Sequence, residues 1–213
     1  MKIFISFLLL LGTITVFGYL YWYKPKFANA IKSSARSEKV EVNKTVNLRL
    51  KQKAGLIRSY IESGNFSEEY CFLIDMRIAS GKKRFFVYNL QKDSVELSGL
   101  VTHGSGSSVG TADLYFSNTS NSNCTSLGKY KIGNSYNGKF GLAYKLYGLD
   151  RTNSKAFERF VVLHAHDCVP NDEIDPLSIC ESWGCPTVSP TFLTELKKYI
   201  DKAEAPILLW IYY

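Results

Sequence analysis

The sequence predicts a mainly β domain with a helix near each end, preceded by an apolar N-terminal helix. Three observations carry this. Tyr (14) and Phe (13) are plentiful, and aromatic residues favour strands. From about residue 70, short runs rich in β-branched and aromatic residues alternate with Gly, Lys or Asp turns. Apolar residues recur at helical intervals near the start and the end of that region. Hydrophobic residues make up 46% of the chain and charged residues 21%, so a sizeable core is expected.

The elements follow in order. Ile3 to Tyr23 carries no charge and has about the ~20 residues that span a bilayer. Tyr19, Tyr21, Trp22 and Tyr23 give it an aromatic end of the interfacial kind. Residues 1–24 therefore read as a signal anchor or a signal peptide. Ala28-Asn29-Ala30 fits a cleavage site, but the apolar run exceeds a signal h-region and favours an uncleaved anchor. Residues 25–45 are polar and basic without an apolar period, and read as a stalk or linker. A folded domain is expected over residues 46–213. Val46, Leu50, Ala54, Ile57 and Ile61 form one helical stripe that Gly64 ends. The strand candidates are YCFLIDM, KRFFVYNL, SVELSGLVTH, ADLYFS, GKYKIG, GLAYKLY and ERFVVLHA. Ser189 then caps a helix with Pro190 at its first position. PILLWIYY, apolar on both faces, closes the chain as an internal strand.

The charge pattern excludes one class of partner. The net charge is +7, but residues 1–60 hold 11 Lys+Arg against 2 Asp+Glu. The rest of the chain is therefore slightly acidic, whereas a nucleic-acid reader carries its basic stripe on the folded domain. The basic arm instead suits a membrane surface.

There are five cysteines: Cys71, Cys124, Cys168, Cys180 and Cys185. In an oxidising compartment four can pair, in three connectivities, and one is left over. Cys185 sits in ESWGCPTVSP, between Gly184 and Pro186. A nucleophilic thiol needs a neighbouring imidazole or N–H dipoles to ionise near neutral pH. His164 and His166, on the candidate strand FVVLHA, can supply the imidazole. Gly184 lets a carbonyl approach the backbone, and the N–H groups of Gly184 and Cys185 are candidates for an oxyanion hole.

A strand-borne His followed by Ser-X-Gly-Cys resembles the L,D-transpeptidase catalytic domain (YkuD-type), and most closely its murein L,D-transpeptidase subfamily. The resemblance covers roughly residues 70–213. It is carried by THGSGSS, the stretch from YFSNTSNSNCTS through FVVLHAH, and SWGCP. It implies a β-sandwich or barrel of mixed strands. It also implies an exported cysteine transpeptidase acting on peptidoglycan tetrapeptide stems, with no cofactor and no metal. Cys185 becomes the acylated nucleophile and His164 its base, while Ser182 and Gly184 shape the turn. His103, His166 and Trp183 are candidates to line the cleft. Three positions depart from the family pattern: Ala165 replaces a glycine, and Glu181 and Thr187 replace arginines. Recognition of the stem carboxylates must come from elsewhere.

Other readings compete. His164, His166 and Cys168 alternate, a spacing that can hold zinc or copper. Against this, Cys168 is expected to pair with Cys180 and close a loop over the site. A sortase-like enzyme needs an arginine after the cysteine, and none follows. A catalytically inactive wall-binding module, or a carboxypeptidase using water as acceptor, would keep the same cleft.

Overall fold

The computed structural model describes residues 11–108 and 113–213, with the backbone alone for residues 25–42. Residues 3–10 of the expected anchor lie outside the described residues. Residues 11–18 are helical, Tyr19–Tyr23 form a π-helical turn, and helix α1 is Lys24–Ile61. Among the described residues no helix is long and apolar enough to cross a membrane. The chain divides into two compact units, residues 1–50 and 51–213. The residues expected as a stalk are helical and continuous with the stripe expected from Val46. No Gly or Pro interrupts residues 26–54, and a polar run of Lys, Ala, Arg and Glu can take the helical backbone without an apolar face.

In the second unit, Ala54, Ile57 and Ile61 of that stripe are buried. Eight strands follow: β1 Tyr70–Asp75, β2 Phe85–Asn89, β3 Ser94–Gly99, β4 Gly128–Gly138, β5 Gly141–Gly148, β6 Val162–Ala165, β7 Thr187–Val188 and β8 Leu208–Tyr212. Helix α2, Pro190–Lys202, lies between β7 and β8 in sequence. The strands form one mixed sheet in the order β3-β2-β1-β8-β4-β5-β6-β7. β8 is internal, parallel to β1 and antiparallel to β4, where its apolarity on both faces belongs.

The sheet curls until its ends meet. The chain beyond β3 runs beside β7: the Thr102 N–H donates to the Thr187 carbonyl at 2.9 Å, and Gly104 bridges Ser182. The expected sandwich or barrel is thus a single closed-over sheet. Helix α2 packs its apolar face against the sheet and leaves the other exposed. Ser189 caps it, accepting from the Phe192 N–H, with Pro190 in the first turn. Phe192 stands edge-on to Phe85 of β2 at 5.3 Å, while Leu193 and Leu196 are buried in the same core as Leu163 and Val188 of β6 and β7. Each fully buried side chain of this size contributes about 1.5–3 kcal/mol. The segment ADLYFS does not become a strand over its described residues. Tyr115 and Ser117 instead donate singly to the carbonyls of Ser107 and Thr125, so the segment has no ladder to join.

Candidate active site

Strand register brings the cysteine and the histidine together. β6 and β7 are parallel, with His164 opposite Thr187. Cys185 lies in the bend two residues before β7, and the Val162 N–H reaches its thiol. His164 on β6 and Cys185 just before β7 thus come from adjacent stretches of the fold. Both line a cavity of about 270 Å³, together with Thr102, Ser182, Trp183 and Thr187.

The turn before Cys185 is fixed by Ser182. Its Oγ accepts from the Gly184 N–H at 3.1 Å and donates to the Cys185 carbonyl at 2.6 Å. This corrects one expectation: the Gly184 N–H is taken within the turn and is not directed at a substrate. Among the described residues no backbone acceptor takes the Cys185 N–H. Gly184 has φ +108°, and a Cβ there would lie 2.7 Å from the Cys124 carbonyl. Only glycine fits both constraints.

The thiol and the imidazole are separately tied. The Cys185 thiol faces the Phe160 carbonyl at 3.7 Å. Burial pushes its pKa up, opposed by the Val162 N–H and by the charge of Arg159. His164 Nδ1 lies 3.0 Å from the Ala165 carbonyl, so Nδ1 carries the proton and donates it there. Nε2 is then bare and accepts from the Thr187 hydroxyl at 3.0 Å. Burial lowers the pKa of His164; the Ala165 carbonyl raises it and His166 lowers it further. Both shifts favour the neutral forms, and the two groups are bonded to different neighbours.

The remaining candidates are placed differently. Trp183 lines the cavity and is 80% exposed. His166 also lines it, and its Nδ1 accepts from the Cys168 N–H at 3.1 Å. Cys168 and Cys180 are joined in a disulfide, Cα atoms 6.1 Å apart. That removes the third ligand of the metal alternative, and no cluster of three His, Cys, Asp or Glu side chains suited to a metal occurs among the described residues. His103 does not line this cavity. It faces a second one of about 440 Å³, because its ring is turned to the buried Arg84, whose Nη2 lies 2.9 Å from His103 Nδ1. Its Nε2 meets Ser108 at 2.7 Å. Burial first, then Arg84, lowers the His103 pKa, against an upward pull from Glu181. The backbone of His103 still supports the site, since its carbonyl accepts the Ser182 N–H at 2.9 Å.

Sequence reasoning missed three contributors. Phe140, in the β4–β5 turn, stacks on His164 at 5.2 Å and stands edge-on to His166 at 5.5 Å. An aromatic residue in the tight turn GKFG, where polar residues dominate, was the available signal. Arg159 donates to the carbonyls of Ser117 at 2.9 Å and Cys124 at 2.7 Å, and so ties the 117–126 loop behind Gly184. Phe160 supplies the carbonyl at the thiol. Neither signal is periodic, and neither lies near Cys185 in sequence.

Comparison with known proteins matches residues 42–212 to the L,D-transpeptidase catalytic domain. Comparison with curated protein sequences returns no match. Among solved structures, a Bdellovibrio bacteriovorus protein is 18% identical with a TM-score of 0.43, over 70% of this chain and 51% of that one. The helical cell shape determining protein of Campylobacter jejuni is 13% identical with a TM-score of 0.43, over 76% and 55%. An Enterococcus faecium L,D-transpeptidase is 15% identical with a TM-score of 0.41, over 68% and 50%. The matched region spans about half the length of these chains.

Proposed function

The chain belongs to the L,D-transpeptidase catalytic-domain family, and on that premise we propose that it is an exported cysteine transpeptidase of peptidoglycan. The substrate is the tetrapeptide stem. Residues 46–213 form the catalytic domain, residues 25–45 link it, and residues 1–24 anchor it at the outer side of the membrane or direct its secretion. The observation that supports the reading is that Cys185 and His164 line one cavity.

The chemistry proceeds in two halves. His164 takes the Cys185 proton, and the thiolate attacks the carbonyl carbon of the third stem residue. The negative oxygen accepts from the Cys185 N–H. The C–N bond to the terminal D-Ala breaks, and its amine leaves with the proton from His164. A thioester on Cys185 remains. The side-chain amine of a second stem then attacks the thioester, giving up a proton to His164. An amide forms, and the sulfur leaves as thiolate and regains its proton. Transfer to water in the second half would make the enzyme a carboxypeptidase.

Two features support the assignment of roles. The Ser182 hydrogen bonds hold the turn that presents Cys185, and Phe140 stacks on the His164 ring. The test is product analysis by mass spectrometry after incubation with tetrapeptide muropeptides. Loss of D-Ala with formation of a cross-linked dimer is expected from the unsubstituted chain and not from Cys185→Ala. Carbapenem acylation separates an enzyme from a wall-binding module, which leaves Cys185 unmodified.

A further inference from the structure

Phe160 occupies a backbone position that suits glycine. It has φ +55°, and the other non-glycine residues with positive φ among the described residues are Asp93, Asn121 and Asn123. Asp and Asn tolerate this region; a bulky side chain there is an outlier. The local hydrogen bonds explain the geometry. The Val161 N–H donates to the Ala156 carbonyl at 2.9 Å, and the Phe160 N–H to the Phe157 carbonyl at 3.1 Å. This pair is the Schellman pattern, whose left-handed residue is usually Gly. Ala156 and Val161, the residues that make its apolar contact, are both buried.

Packing does not explain the phenyl ring. It is 81% exposed, so it stabilises the fold little, while glycine would relieve the backbone. Strained residues of this kind concentrate at functional sites. Phe160 is also placed at one: its carbonyl meets the Cys185 thiol at 3.7 Å. Trp183, two residues before Cys185, is the other exposed aromatic side chain tied to the nucleophile loop.

We propose that Phe160 is a substrate-binding residue, its ring forming with Trp183 an apolar rim beside Cys185 against which the aliphatic part of the donor peptide packs. This rests on the proposed function and adds a specificity element to the same site. The ring contributes binding rather than chemistry, because the carbonyl at the thiol belongs to the backbone and survives loss of the side chain.

The experiment compares the full chain with Phe160→Gly and Phe160→Tyr. Phe160→Gly is expected to keep or raise the melting temperature. It should raise KM for tetrapeptide stems about tenfold with kcat within about threefold, the signature of lost uniform binding. Phe160→Tyr should restore KM. A second readout needs no turnover. Cys71 and Cys124 are buried and Cys168 and Cys180 are paired, so thiol reagents report on Cys185. N-phenylmaleimide should react several-fold more slowly with Phe160→Gly, and iodoacetamide at an unchanged rate. An unchanged N-phenylmaleimide rate overturns the proposal, as does an equal slowing by iodoacetamide, which would make the residue an organiser of the thiol. If the unsubstituted chain leaves tetrapeptides intact, the transpeptidase reading fails while the reagent comparison still decides the role of the ring.

Discussion

At the residue scale, burial favours a neutral thiol at Cys185 and a neutral imidazole at His164, each bonded to a different neighbour. Burial raises the Cys185 pKa and lowers that of His164, and these shifts oppose a preformed ion pair. The sign gives a testable consequence. In the free enzyme, the thiolate forms only as pH rises above the ordinary thiol value of about 8.5. Alkylation of Cys185 by iodoacetamide should therefore follow one ionisation above that value, with the same profile in His164→Ala. A plateau of reactivity reaching down to neutral pH in the unsubstituted chain alone would show a formed ion pair. Turnover under the proposed mechanism behaves differently, since it moves the proton to His164. His164→Ala should lower kcat/KM at least ~100-fold, the usual scale for a general base. His166→Ala should be much milder, because its ring is exposed and bonded to the turn at Cys168. Steady-state kinetics of both variants decide it.

At the element scale, the loop between β6 and β7 carries the site's shape. The Cys168–Cys180 disulfide closes 12 residues of it. Such a closure stabilises by roughly 2–3 kcal/mol, chiefly by restricting the unfolded chain. Reduction, or Cys168→Ser with Cys180→Ser, is expected to lower the melting temperature. Iodoacetamide should then label three thiols under native reduced conditions where it labelled one. Unchanged melting on reduction would contradict this. Elements with a local period were legible in the sequence. The α2 stripe, its Ser189 cap and the internal strand β8 are set by residues a few positions apart. ADLYFS has strand composition but no ladder partner, and partner availability is a property of the whole chain. The stretch after Lys24 lacks an apolar stripe, so its helix left no periodic signal.

At the scale of the whole molecule, closure of the sheet is what makes a site. Thr102 and Thr187 join the two ends of an eight-stranded sheet, and the cavity opens along that seam. His164 and Cys185 both line one cavity, and the order His164, then Ser182-X-Gly184-Cys185, was legible through its resemblance to the family pattern. The partners that reach the seam from other elements were not. Phe140 arrives from the β4–β5 turn, and Arg159 with Phe160 from the 149–161 loop. His103 was expected at the cleft on the strength of THGSG, but Arg84, 19 residues away, draws its ring to the second cavity. Burial of His103 and His164 as neutral rings links the fold to pH. Both have lowered pKa values, so the unfolded chain binds their protons first. Their contribution to stability is present above the unfolded value of about 6.5 and is lost as pH falls below it. Thermal melting from neutral to mildly acidic pH should show this decline, and His103→Asn should flatten part of it.

The central claim is that Cys185 becomes covalently acylated by a peptidoglycan stem. Its most direct test is intact-protein and peptide mass spectrometry of the chain trapped with a tetrapeptide stem at early times. The account expects a thioester adduct equal to the stem minus its terminal D-Ala, mapped to Cys185, captured in the unsubstituted chain and absent from Cys185→Ala. An adduct mapped to another cysteine, or tetrapeptide turnover that persists in Cys185→Ala, would contradict it.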